Sequence, residues 1–348
     1  MPFDSERYTH ESDRAALRAL KALPGFTMLT KSFLNMWNEP QERIMNMSTR
    51  IKLGENQMLK YYDMLPPICE KLGIAVPDMY LELNVTPNAY TYGDTNPFIV
   101  VSSGLLETMP DELVPTVLAH ECGHIACHHV LYRTMGRTIL NGAAAAISYF
   151  LKIGGLLTVP LQVAFFHWMR CSEFSADRAA VLCDGTPRKM QEVCMRLAGW
   201  DKDIHAEANI EEFLKQAENY REMINDSAWN RTLEFMVLSD ATHPLMAVRA
   251  TECGEWAKSD EFQRILNDLP EPEKPQPETP EETRNDPFDF FGWLRPEKEE
   301  KPAPKQEETP PVEEDSEAQK ELRWYKKMAE EGLITREQYE QKKKELLG

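Results

Sequence analysis

Two histidines four residues apart in an apolar helical stretch, His120-Glu-Cys-Gly-His124, restrict this chain more than any other feature. Four residues advance an α-helix by about 400°, so both imidazoles leave on nearly the same side. Val117, Leu118, Ala119, Ile125 and Ala126 around them are apolar, as a half-buried helix requires. Gly123 permits close approach of a neighbour at the helix surface. Such a helix needs a second element opposite the two rings, which limits the folds available. The surrounding pattern, Asp111 to about Arg137, reads as one long helix. Pro110, Asp111 and Glu112 suit its start, where negative charge is favoured beside free N–H groups.

The H-E-x-x-H spacing lets two neutral imidazoles hold one zinc ion. Glu121, next to the first ligand, can take a proton from a water that the metal acidifies. No Ser or Cys nucleophile is then required. A third ligand is. The longer H-E-x-x-H-x-x-G-x-x-H pattern would place Gly at 127 and His at 130, but Cys127 and Val130 stand there. His128 and His129 read as surface groups or as supports for a ligand, because histidines at successive fours drift around a helix. Arg170-Cys-Ser-Glu-Phe-Ser-Ala-Asp-Arg-Ala179 offers Glu173 and Asp177, again four apart. Glu173 would complete a His2Glu site. Asp177 would accept the free N–H of a ligating imidazole and fix its tautomer. The alternatives are a chance match of the pentapeptide and a charged helix face in water.

Composition bounds the rest. Acidic residues outnumber basic ones by 57 to 39, a net charge of −18. That excludes nucleic acid as a general partner, and disfavours electrostatic docking on an anionic membrane. Residues 271–318 carry sixteen Asp/Glu against six Lys/Arg, and 270–311 hold eleven of the 24 prolines. A disordered acidic linker over 269–318 follows. Within it, Pro287-Phe-Asp-Phe-Phe-Gly-Trp-Leu294 is either a transient hydrophobic cluster or a short docking motif. Seven cysteines without a CxxC pair argue against a disulfide framework or a four-cysteine zinc module. Reduced thiols and a charged N-terminus without an apolar core point to the cytoplasm.

The expected fold class is α+β, mainly α. A helical part, 1–75, contains an amphipathic run over Ala15–Leu23, a break at Pro24–Gly25, and a second helical run over 40–72 with a restart at Pro66–Pro67. A core, 76–268, begins with two strands within 78–103, joined by a loop containing Asn88, Gly93 and Asn96. Further helices are expected over 163–182, 187–237 and 244–268. The apolar runs 138–151 and 153–166 are about 14 residues each, interrupted by Lys152. A membrane span wants about 20. They read either as buried or surface-associated helices, or as a hairpin contacting a bilayer. Residues 319–348 read as a helical pair, with Gly332 ending one helix and Thr335 and Gln338 forming a capping box for the next.

Five segments, in order, resemble the HtpX / CAAX-prenyl-endopeptidase / Oma-type zinc metallopeptidases, the gluzincins of peptidase metallo-family 48, from about residue 14 to 250. They are Asn88-Ala-Tyr-Thr-Tyr-Gly, Pro97-Phe-Ile-Val-Val-Ser-Ser-Gly-Leu-Leu-Glu, the Asp111–Ile125 segment with its H-E-x-x-H, Ser172-Glu-Phe-Ser-Ala-Asp-Arg-Ala, and Thr242-His-Pro with Arg249. The resemblance implies a zinc-dependent endopeptidase with one Zn(2+) per chain, held by His120, His124 and Glu173, and Glu121 as general base. It also implies that the strand of Ile99, Val100 and Val101 binds an extended polypeptide by backbone pairing. Asn88 and His243 map to positions contacting the substrate backbone or the oxyanion; otherwise they are a turn residue and a helix-start histidine. Arg249 reads as the partner of a buried carboxylate, and Cys122 as a small buried hydrophobe. The departure is the lack of clear transmembrane helices, which leaves peripheral membrane contact through 138–166.

Residues 319–348 resemble the SHOCT hairpin, a module associated with interaction or homo-oligomerisation. The rival to proteolysis of unfolded or misfolded proteins is a zinc-binding scaffold, inactive or self-inhibited by the linker or residues 288–294, that acts through this hairpin.

Overall fold

The computed structural model describes residues 2–23, 25–36, 39–138, 158–199, 207–227, 230, 245–269, 340, 343 and 344. The chain divides into two units, Met1–Gly292 and Trp293–Gly348, and the elements that follow belong to the first. They are α1 (Ser5–Tyr8), α2 (Glu11–Lys21), α3 (Phe26–Met36), α4 (Glu39–Thr49), β1 (Ile51–Lys52), α5 (Leu59–Tyr62), α6 (Leu65–Leu72), β2 (Asp78–Glu82), β3 (Ala89–Tyr92), β4 (Phe98–Ser102), α7 (Ser103–Thr108), α8 (Val114–Ala126) and α9 (Val130–Thr138). After these come α10 (Thr158–Asp184), α11 (Arg188–Leu197), α12 (Ile210–Asp226), α13 (Met246–Trp256) and α14 (Asp260–Leu266). The class is α+β and mainly α.

The sheet has the order β1-β2-β4-β3. β2 and β4 are parallel, and β1 and β3 run antiparallel to their neighbours. Two strands were expected within 78–103 and three are present. The stretch read as a loop contains Ala89–Tyr92, which pairs Ala89 with Val101 and Thr91 with Ile99. The helical run expected over 40–72 is also broken. Ile51 pairs with Leu81 as a short edge strand, and this tertiary pairing overrides the local helical pattern. Pro66 and Pro67 open α6, where their missing N–H groups cost no intrahelical bond.

Alternation along the strands gives the sheet two faces. Met79, Ala89, Ile99 and Val101 join the main core with residues of α6, α8 and α11. Tyr80, Phe98 and Val100, with Tyr90 and Tyr92, form a separate cluster on the other face. Thr91, two residues from Ala89, shares the face that meets α8 and is buried.

At the centre lies α10, whose residues 171–183 are all buried. A helix enclosed on every side can carry polar groups only if they are paired, and this one carries Ser172, Glu173, Ser175 and Asp177. It packs against α8 at Gly123, where a Cβ would stand 2.7 Å from Ala179 Cβ and 3.0 Å from Ala176 Cα. Neither neighbour is a flexible side-chain end, so a larger residue must push the helices apart. Gly123→Ala is expected to destabilise the protein by about 1–3 kcal/mol, the usual cost of overpacking. Urea unfolding of the two proteins checks this.

The long helix expected from 111 to 137 is two helices. His128 takes a left-handed conformation, φ 57°. Its N–H donates to Ile125 O at 3.0 Å, and the His129 N–H donates to His124 O at 2.9 Å. These are the two bonds of a Schellman cap. The reversal returns His129 to the side of His124 and starts α9.

No described helix is long and apolar enough to cross a membrane. Residues 139–157, most of the linker and hairpin, and His243 lie outside the described residues.

Candidate active site

The two helices meet where their four-residue spacings coincide. His120, His124 and Glu173 each offer one ligand atom, and these atoms lie within 4.8 Å of one another. His120 Nε2 is 3.4 Å from Glu173 Oε2, and His124 Nε2 is 3.5 Å from Glu173 Oε1. A tetrahedral ion with ligand bonds of about 2.0–2.1 Å has ligand-to-ligand edges of about 3.3 Å. The Nε2 atom of His124 is buried with no hydrogen-bond partner among the described residues. An imidazole nitrogen enclosed in that way, facing a second imidazole and a carboxylate, suits a cation. The residues present therefore fit a divalent metal.

Behind the ligands stands a charged frame. His120 Nδ1 is 2.8 Å from Asp177 Oδ1. Arg249 on α13 donates to Asp177 Oδ2 from Nε at 2.8 Å and to Oδ1 from Nη2 at 2.6 Å. Its Nη1 also lies 3.0 Å from Glu173 Oε2, the buried-carboxylate pairing expected of it. Arg133 on α9 donates to Glu173 Oε1 at 2.6 Å and to Ser172 Oγ at 3.0 Å. Two buried carboxylates thus face two buried guanidinium groups, which is how such charges are tolerated inside a protein.

The two imidazoles differ in protonation in the metal-free site. Burial alone would depress the His120 pKa, but hydrogen bonds donated to the Asp177 and Glu173 carboxylates bring it up to about 9. Burial, and then the positive charge of Arg133, hold His124 well below the ordinary histidine range. Asp177 loses from burial, yet Arg249 and His120 hold it below the usual carboxylate range.

Glu121 is 2% exposed. The Thr91 hydroxyl is 2.7 Å from Glu121 Oε2 and 3.1 Å from the Glu121 carbonyl oxygen. The strand β3 thus reaches the glutamate directly, and Gly93 after it donates to Thr134 Oγ1 at 3.2 Å. The expectation that Ile99, Val100 and Val101 offer their backbone to a substrate is overturned. They lie in β4, which pairs with β2 on one side and β3 on the other. The edge strand on this side of the sheet, beyond β4, is β3. Asn88 immediately precedes it, its N–H bound to Ser102 Oγ at 2.9 Å.

Thr91, Arg133, His129 and Asp13 had no reading as site residues beyond His129 as a support. Of these only His129 carried a local signal, its position just past the second ligand. Asp13 and Thr91 are brought in by elements distant in sequence, and Arg133 by the reversal at His128 that starts α9.

Comparison with known proteins agrees with this geometry. The model of Peptidase family M48 matches residues 68–257. The chain therefore belongs to peptidase family M48 and is a metalloprotease. It is similar to "Plastoglobule-localized metallopeptidase 48, chloroplastic" of Arabidopsis thaliana, 31% identical over 76% of each chain. It is also similar to "Protease HtpX homolog" of Trichormus variabilis, 26% identical over 45% of this chain and 63% of that one. "Protease HtpX" of Legionella pneumophila is 24% identical over 46% of this chain and 62% of its own. Both HtpX matches span less than two thirds of the relative's length. No solved structure matches.

Proposed function

We propose that this chain is a zinc-dependent endopeptidase acting on extended stretches of unfolded or misfolded polypeptides. The observation that carries the reading is the convergence of His120, His124 and Glu173 beside Glu121, below an edge strand that touches that glutamate. One zinc ion per chain would sit on the two imidazoles and the carboxylate, a donor set used by catalytic zinc sites. When bound, it supplies Lewis acidity, polarising the scissile carbonyl and acidifying the attacking water.

The protein's own groups do the rest. Glu121 takes the proton of the attacking water and returns it to the leaving amine. The Thr91 hydroxyl holds the Glu121 carboxylate against β3. Asp177, clamped by Arg249, accepts the Nδ1–H of His120 and directs its Nε2 toward the metal. The substrate adds as a further strand on the outer edge of β3, through main-chain hydrogen bonds that ask little of its side chains. Asn88 precedes that strand, where it would meet the substrate backbone, and His243 would assist at the oxyanion. A compact native substrate has few strands to offer, so unfolded chains are preferred.

For location, a cytoplasmic protein in peripheral contact with lipid through 138–166 is the reading carried forward. Only its membrane-associated part draws support from a relative named as plastoglobule-localized, and that relative is named as chloroplastic. The second unit would serve self-association.

The test compares one protein in native form and as its reduced, alkylated, unfolded chain. The unfolded form should be cut internally and the native form spared. Chelation should stop cleavage, and zinc should restore it. Equal cleavage of both forms would contradict the substrate class. Cleavage that survives loss of the metal would contradict the zinc reading.

A further inference from the structure

The second histidine of the motif is supported differently from the first. His120 rests directly on a carboxylate. His124 Nδ1 instead lies 3.0 Å from Nδ1 of another imidazole, His129. His129 Nε2 lies 2.8 Å from Asp13 Oδ2. Asp13 is on α2, more than a hundred residues earlier in the chain, and it is 1% exposed. Two donors fix it further: Trp168 Nε1–H to Oδ1 at 2.9 Å and the Ser175 hydroxyl to Oδ2 at 2.6 Å.

With His129 neutral, proton bookkeeping along this line has one consistent solution. An ionised carboxylate only accepts, so His129 must carry its proton on Nε2, toward Asp13. A neutral His129 then has a lone pair on Nδ1. That lone pair demands a proton on Nδ1 of His124. His124 is left with a bare Nε2, the atom that faces His120 and Glu173. All three side chains are buried, so water cannot replace a missing partner. The turn that makes this reachable is the left-handed His128, which returns His129 to the flank of the helix it has just left.

We infer that Asp13 and His129 are positioning residues that set the tautomer and orientation of His124 for metal binding, so that the N-terminal helix α2 is a working part of the site. This rests on the metal-site reading above. It extends that reading to a residue well outside the segment matched by the family model, residues 68–257. The reverse tautomer would turn the His129 lone pair onto a carboxylate oxygen and present an N–H to the metal, so a fault at Asp13 is transmitted across two rings.

The test is zinc affinity by competition with a chromogenic chelator, on the full chain, with unfolding of the metal-free protein followed in parallel. Asp13→Asn puts an amide donor where the carboxylate was and favours the wrong tautomer. Asp13→Asn and His129→Gln are each expected to weaken zinc binding by at least about tenfold, the lower end for groups that orient a ligand. The double variant should be little worse than either alone, since both break one line. Trp256→Phe, which removes a hydrogen bond to Glu261 away from this line, is the control for general destabilisation and should stay within about twofold of wild type. If Asp13→Asn fails to fold, His129→Gln decides. Folded variants that bind zinc as tightly as wild type, or a control that weakens binding as much as they do, would overturn the inference. Wild-type protein that binds no zinc, or His124→Ala that binds it normally, would instead overturn the underlying metal site.

Discussion

Glu121→Gln is expected to leave zinc content unchanged while lowering hydrolysis of an unfolded substrate by at least about 100-fold. Glu121 is not among the three converging ligand residues, so the substitution removes no metal donor. It does remove the only role that needs a carboxylate, accepting the proton of the attacking water and handing it to the leaving amine, which is worth about 10²–10⁴ in rate. The amide is nearly isosteric and can still accept the Thr91 hydroxyl hydrogen bond seen at 2.7 Å, so the fold should be kept. Metal analysis and progress curves on the same preparations check both halves. Equal cleavage by the variant and the wild type would remove Glu121 from the chemistry.

Arg249→Leu should produce the largest loss of stability. Arg249 is 2% exposed and makes two hydrogen bonds to Asp177 and a third contact with Glu173. Removing it leaves two buried carboxylates with one guanidinium between them, that of Arg133 on Glu173. Breaking a buried ion pair from one side costs about 3–5 kcal/mol, because the remaining charge has no water to turn to. Urea unfolding of the metal-free proteins should show that loss, and the variant should also bind zinc more weakly, since Asp177 no longer holds His120 in place. Arg249→Lys should recover only part, because an ammonium lacks the planar fork that meets two carboxylates at once. A variant as stable as wild type would contradict this view of the frame.

The contrast between what the sequence reveals and what it hides follows from contact order. His120 and His124, and Glu173 and Asp177, announce themselves because each pair lies one helical turn apart on a single helix, and helical geometry is local. Arg249 was legible as the partner of a buried acid. Asp13 and Thr91 were not, because α2 and β3 reach the site only through tertiary packing, and nothing near either residue marks it as polar machinery. The sheet shows the same division. The apolar run Phe98-Ile-Val-Val revealed a buried strand, but burial on both edges as well as both faces is a property of its neighbours. The edge role passed to Ala89–Tyr92, a segment whose Gly and Asn flanks had made it look like a loop.

The central claim is that one metal ion sits between the two helices, on His120, His124 and Glu173. Anomalous diffraction at the zinc edge, from crystals of the zinc-loaded protein, tests it most directly. The account predicts one peak per chain, within about 2.0–2.2 Å of an imidazole nitrogen of each histidine and an oxygen of Glu173. A chain fully loaded in solution whose peak lies elsewhere, with the Glu173 oxygens still taken up by Arg133 and Arg249, would contradict it.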